Sequence, residues 1–227
     1  MTTKARRRET MKTGLTELVF ILDRSGSMSG LETDTIGGFN SMLEKQRAVE
    51  GECRITTVLF DNAYTLLHDR LDIRAVSPIT KAEYSVGGST ALLDAIGQTI
   101  HKLINVQRHT AADYRADRVL FVIITDGAEN ASREYTLDRV KALIEQQKER
   151  YGWEFIFLGA NIDAVKTADR FGIAADRAQS YHADGAGVEL NFRVMSKAAA
   201  SFREGAPLSP GWNEEIQRDY EGRRSRR

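Results

Sequence analysis

The chain has 227 residues, 41% of them hydrophobic and 28% charged, which excludes collagen-like, low-complexity and wholly disordered classes and fits one large domain with appendages. Its longest apolar run, Val119 to Ile124, is far short of the roughly 18 residues a membrane-crossing helix needs, and a single cysteine, Cys53, permits neither an internal disulfide nor a cysteine-based zinc site. The zero net charge is uneven: the first twelve residues carry five basic and one acidic side chain, the last seven carry four and one, and residues 13–220 are left at −7. An acidic body with short basic ends argues against a specific nucleic-acid surface.

The basic start runs into Thr13, Gly14, Thr16 and Glu17 rather than an apolar stretch, so neither a secretory nor a twin-arginine leader is expected and a cytoplasmic location is. Leu18 to Leu22 is apolar at every position and ends at Asp23, the pattern of a strand buried on both faces of a parallel sheet. Ile36, Phe39 and Leu43 follow helical spacing, with Gly37-Gly38 as an oddity. Close packing of the helix on the sheet or on the loops, or a helix start delayed to Phe39, would each account for the pair. Residues 54–60 and 63–68 flank Asp61-Asn62 and predict a hairpin whose second arm is an antiparallel edge strand.

Leu92, Ile96, Ile100 and Leu103 predict a second helix, Val119 to Ile124 a central strand, Leu137, Val140 and Ile144 a third helix, and Phe155 to Leu158 another strand. Val188, Phe192, Met195, Ala199 and Phe202 predict a last amphipathic helix ending near Gly205 and Pro207. The alternation predicts an α/β fold, a Rossmann-like doubly wound and mostly parallel sheet with one antiparallel edge strand and helices on both faces. The expected division is a basic N-terminal tail over 1–13, one domain over 14–205, and a tail over 206–227, basic at its end.

Ligands of open α/β sheets bind where loops leave the carboxyl ends of the strands. Three polar loops should meet there: Asp23-Arg24-Ser25-Gly26-Ser27, Gly87-Gly88-Ser89-Thr90 and Thr125-Asp126-Gly127. Two carboxylates and three hydroxyls, with no thiolate or imidazole, are hard oxygen donors that suit Mg²⁺ or Mn²⁺ over zinc. Aspartate and serine after a strand also serve as turn and cap residues, which is the plainer reading of any one loop alone.

Phe20 to Met28, Gly88-Ser89-Thr90-Ala91-Leu92 and Thr125-Asp126-Gly127 together resemble the von Willebrand factor type A domain with its metal-ion-dependent adhesion site, over roughly residues 15–204. The resemblance implies Mg²⁺, or Mn²⁺, bound by Ser25, Ser27 and Thr90, with Asp23 and Asp126 in or near the coordination sphere. Ser89 is the adjacent alternative to Thr90. It implies a protein-binding module rather than an enzyme, in which a partner's glutamate or aspartate completes the coordination; Met28 and Ser89 are expected on its rim, and Glu129 and Asn130, on the loop after Asp126, either shape that rim or serve as turn residues. The short members it resembles are intracellular bacterial or phage proteins, including those of tellurium-resistance type, some in assemblies with ATPases. The competing reading is a Mg²⁺-dependent phosphatase or phosphotransferase of haloacid-dehalogenase type with Asp23 as nucleophile; position 25, however, is serine where those enzymes carry a second aspartate. Nucleotide-binding glycine motifs are absent. A metal role for Asp61, in the hairpin turn, is disfavoured. Asn130-Ala131-Ser132 should be a silent glycosylation sequon, and His68, His101, His109 and His182 should be surface or cap residues.

Overall fold

The computed structural model describes residues 14–224, so the basic tail expected over 1–13 lies outside the described residues. Three strands with unbroken apolar runs lie inside the sheet: β1 (Thr16–Asp23), β4 (Arg118–Thr125) and β5 (Glu154–Ala160). β2 (Cys53–Phe60) and β3 (Tyr64–Asp72) form the hairpin, and β6 (Ala178–Tyr181) is a short last strand. The six strands lie in the order β3-β2-β1-β4-β5-β6, every neighbouring pair parallel except β2 with β3. Along β1, Leu18, Phe20 and Leu22 face one apolar layer while Val19 and Ile21 face the other, as the alternation of a pleated strand requires.

The first layer is closed by α1 (Glu32–Arg47) and α5 (Gly185–Arg203), the second by α2 (Leu92–His109), α3 (Leu137–Tyr151) and the short α4 (Ala164–Arg170). α1 runs unbroken through Gly37-Gly38, which removes the delayed start. The close packing it does serve is against α5 rather than the sheet or the loops: a Cβ on Gly38 would lie 2.3 Å from the Phe192 ring, whereas one on Gly37 would meet nothing within 4 Å.

The segment read as a C-terminal tail differs from that expectation. Leu208 and Ile216 are buried, and α6 (Glu214–Arg224) packs on β6 and α5. Asn213 donates to the Ala178 carbonyl and the Gln179 side chain, and Trp212 Nε1 donates to the Asp176 carbonyl at 2.7 Å. Three apolar side chains, Leu208, Trp212 and Ile216, anchor this stretch, too few to stand out from its polar composition. His68 also departs from the surface role expected of it. It is buried in β3 with its ring stacked on Phe39 and Nδ1 3.0 Å from Thr57 Oγ1. Among the described residues no helix is long and apolar enough to cross a membrane.

Candidate metal-binding site

Because β1 and β4 are adjacent and parallel, Asp23 and Asp126 leave the sheet side by side. Ser25 and the short 3₁₀ turn Gly26–Met28 carry the first loop over this edge. The Ser25 and Ser27 hydroxyls lie 3.0 Å apart, and Ser27 donates to Asp126 Oδ1 at 2.5 Å. Asp23 faces inward: its Oδ1 accepts the Ser25 backbone N–H at 2.7 Å and its Oδ2 accepts the Thr125 hydroxyl at 2.6 Å.

The glycine-rich loop is zipped onto the first. Gly26 donates to the Gly88 carbonyl and Gly87 to the Arg24 carbonyl. Gly88 has φ +74°, and a Cβ there would run into the Asn62 side chain at 2.1 Å, so only glycine fits the turn. This delivers Thr90, buried, to the cluster and leaves Ser89 exposed. A Cβ built on Gly127 would stand 3.3 Å from Ser27 Oγ and 3.4 Å from Thr90 Oγ1, so both hydroxyls overhang the same glycine and converge on one point.

Two carboxylates, two serine hydroxyls and Thr90 therefore share a small volume. Asp126 Oδ2 is shielded from solvent and accepts no hydrogen bond. Burial raises both carboxyls above the usual carboxylate range, against hydrogen bonds from Ser25 and Thr125 to Asp23 and from Ser27 to Asp126, and the Asp23 charge adds to the rise at Asp126. No lysine or arginine among the described residues pairs with either; Arg24, the nearest in sequence, is turned to Asp61 at 3.1 Å. Two buried carboxyls without a counter-charge, one with an orphaned oxygen, form a place that a cation would suit. Among the described residues no three His, Cys, Asp or Glu side chains converge, so any such site is built largely of hydroxyls.

The residues expected on the rim divide. Met28 is 2% exposed and belongs to the first apolar layer, because the 3₁₀ turn points it under the loop; it offers no surface to a partner. Glu129 accepts from the Leu93, Ala131 and Ser132 amides and the Ser132 hydroxyl, which ties its loop to the start of α2. Asn130 brackets Thr90: its Oδ1 accepts the Thr90 N–H at 2.9 Å and its own N–H donates to the Thr90 carbonyl at 3.0 Å. Of the four, Ser89 and Asn130 are exposed.

Other braces carried no sequence signal of their own. The Tyr84 hydroxyl donates to the Asp23 carbonyl at 2.5 Å, and Tyr181, fully buried, donates to the Thr125 carbonyl. Asn161, at φ 55° where β5 ends, donates to the Asp126 carbonyl at 3.3 Å. A left-handed asparagine just after an apolar strand is a cue of modest strength.

No family model matches the sequence, and no curated protein matches it. Solved structures match the fold. A von Willebrand factor type A protein from Catenulispora acidiphila superposes with a TM-score of 0.57 at 16% identity over 82% of this chain and 42% of its own. Proximal thread matrix protein 1 from the mussel byssus, solved with a zinc-occupied MIDAS motif, gives 0.54 at 14% over 83% and 46%. The manganese-loaded TRAP protein of Plasmodium vivax gives 0.51 at 19% over 90% and 72%. The chain thus spans less than half the length of the first two and nearly three quarters of the third. In its fold the chain is similar to von Willebrand factor type A domains.

Proposed function

We propose that this chain is a metal-dependent protein-binding module in which Mg²⁺, or Mn²⁺, sits at the C-terminal edge of the sheet. Ser25, Ser27 and Thr90 hold it through hydroxyl oxygens, and Asp23 and Asp126 lie in or near its coordination sphere. The observation that carries this reading is the orphaned, buried Asp126 Oδ2 beside three convergent hydroxyls and a second buried carboxylate. The zinc-occupied and manganese-loaded states of two proteins of similar fold support it.

When bound, the cation supplies positive charge that neutral hydroxyls do not cancel. The chain's own residues orient it: Thr125 and the Ser25 amide hold Asp23 inward, Asn130 holds Thr90, and the Asp126 carboxylate fixes Ser27. The remaining positive charge suits a partner's glutamate or aspartate. Two unit charges about 4 Å apart at an effective dielectric of about 20 attract by ~4 kcal/mol before desolvation, enough for one contact to decide whether a modest interface holds. Asp23 is poorly placed as a phosphatase nucleophile, since both its oxygens are engaged and it is 1% exposed.

Calorimetric titration of the full chain with MnCl₂ and MgCl₂ tests the proposal. One site is expected in the natural chain and none in Asp126→Ala, with circular dichroism unchanged. Equal metal affinity in the two proteins would refute the assignment.

A further inference from the structure

The opposite pole of the sheet carries a second recognition feature, about 25 Å from the first by the length of an eight-residue strand. Where α2 and α3 end and β4 and β5 begin, Ile104, Gln107, Arg108, Ala116, Tyr151 and Trp153 line a cavity of about 260 Å³, with Arg115 and Gln147 completing its wall. Its floor is apolar and fixed: Trp153 is 6% exposed and stacks on Phe121, with ring centroids 5.6 Å apart. Two of the lining side chains, Arg108 and Arg115, are exposed guanidiniums that can only donate. Arg115 uses only Nε, on the Thr110 carbonyl. Arg108 makes no ion pair among the described residues, and the Gln107 side-chain nitrogen is shielded from solvent with no hydrogen-bond partner.

Among the described residues no carboxylate lines this cavity, so the Arg108 guanidinium, the terminal nitrogens of Arg115 and the Gln107 amide nitrogen have no acceptor there. That chemistry selects an anion, and the aromatic wall selects one attached to an apolar body. The volume lies below the range usual for free small-molecule ligands, which favours a single anchoring side chain. The surroundings point the same way: Tyr151 and Tyr114, next to Arg115, are 65% and 68% exposed and are two of the four large apolar side chains exposed among the described residues. Tyrosine, tryptophan and arginine together are the composition of interface hot spots.

We infer that this pole is a second, metal-independent docking site for a protein partner that inserts an acidic side chain flanked by an aromatic residue between Arg108, Arg115 and Trp153. The chain would then join two proteins, one at each end of its sheet. The inference does not depend on the metal-site reading.

The test is fluorescence anisotropy of the full chain with a fluorescein-labelled peptide acetyl-Glu-Glu-Phe-Glu-Glu and its glutamine counterpart, each in Mg²⁺ and in chelator, with benzoate as competitor. Binding of the glutamate peptide alone, unchanged by chelator or by Asp126→Ala and about tenfold weaker in Arg108→Ala/Arg115→Ala, is expected. Tyr151→Ser, at a side chain 65% exposed, should also weaken it. Equal binding of both peptides, retention in the double variant, or loss in chelator would overturn the site. Binding of benzoate without the peptide would overturn the protein partner.

Discussion

Gly37 and Gly38 provide an internal control on how the two helices of the first layer meet. Both lie within α1, where glycine costs about 0.5–1 kcal/mol relative to alanine, so on propensity alone either Gly→Ala change would stabilise. The structure separates them. A Cβ on Gly38 would sit 2.3, 2.9 and 3.2 Å from Cδ2, Cγ and Cβ of Phe192, well inside contact distance. Phe192 has little room to yield: it is 2% exposed and edge-on to Phe39, with ring centroids 6.3 Å apart. Overpacking of this kind costs about 1–3 kcal/mol, so after the propensity gain Gly38→Ala should lose about 1–2 kcal/mol. Gly37→Ala meets nothing and should gain about 0.5–1 kcal/mol. At roughly 2–4 °C per kcal/mol for a chain of this size, the melting temperatures should move apart by about 3–12 °C, down for the first and up for the second. Thermal and urea unfolding of the two variants measure this. A shift of the same sign in both would show that α1 and α5 do not meet through Gly38.

Asn130→Ala should weaken Mn²⁺ binding about tenfold while the metal-free protein keeps its fold, because the Thr90 amide loses its acceptor; calorimetry combined with hydrogen exchange at the Thr90 amide reads both halves, and unchanged affinity would sink the bracing role. No hydrolysis of p-nitrophenyl phosphate above background is expected with Mg²⁺ or Mn²⁺, and turnover that disappears in Asp23→Asn would revive the phosphatase reading. For His68, burial lowers the pKa, with the Glu83 charge opposing. The unfolded chain therefore takes up the proton first, and stability, intact above about pH 6.5, should fall as pH drops below that value by at most about 1.4 kcal/mol per pH unit. Denaturant unfolding at pH 7.5, 6.5 and 5.5 should show a shallower acid loss in His68→Gln, and parallel curves would refute the assignment.

Much of the architecture was legible because its central strands each carry an unbroken apolar run. β1, β4 and β5 are buried on both faces, and a five- or six-residue run such as Val119 to Ile124 has little other use. The meeting of the Asp23 and Asp126 loops followed from parallel strands alone, whereas the Gly87–Thr90 loop, which comes after the antiparallel β3, reaches the same edge through its backbone hydrogen bonds to Arg24 and Gly26. β6 and α4 escaped notice for the opposite reason. Ala178–Tyr181 has the sequence Ala-Gln-Ser-Tyr, and α4 is seven residues long, so neither offers a period to detect. Within the site, residue types were readable and hydrogen-bond partners were not. Nothing in the sequence told that Glu129 would be spent on its own loop, that Asn130 would bracket Thr90, or that Met28 would turn under rather than out.

The two outer strands of the sheet are protected differently. β3 breaks register against β2 on either side of Thr57 and carries Arg70 at φ 51°, so its outer backbone does not present a straight row of donors and acceptors. β6 has only four residues and is covered by the C-terminal helix, with Asn213 reaching the Ala178 carbonyl. An open strand is a template on which another chain can add its own. The polar stretch after Gly205, though it contributes little to the core, therefore keeps this sheet from growing by addition of further copies, and a chain ending there would be prone to assemble with itself through β6.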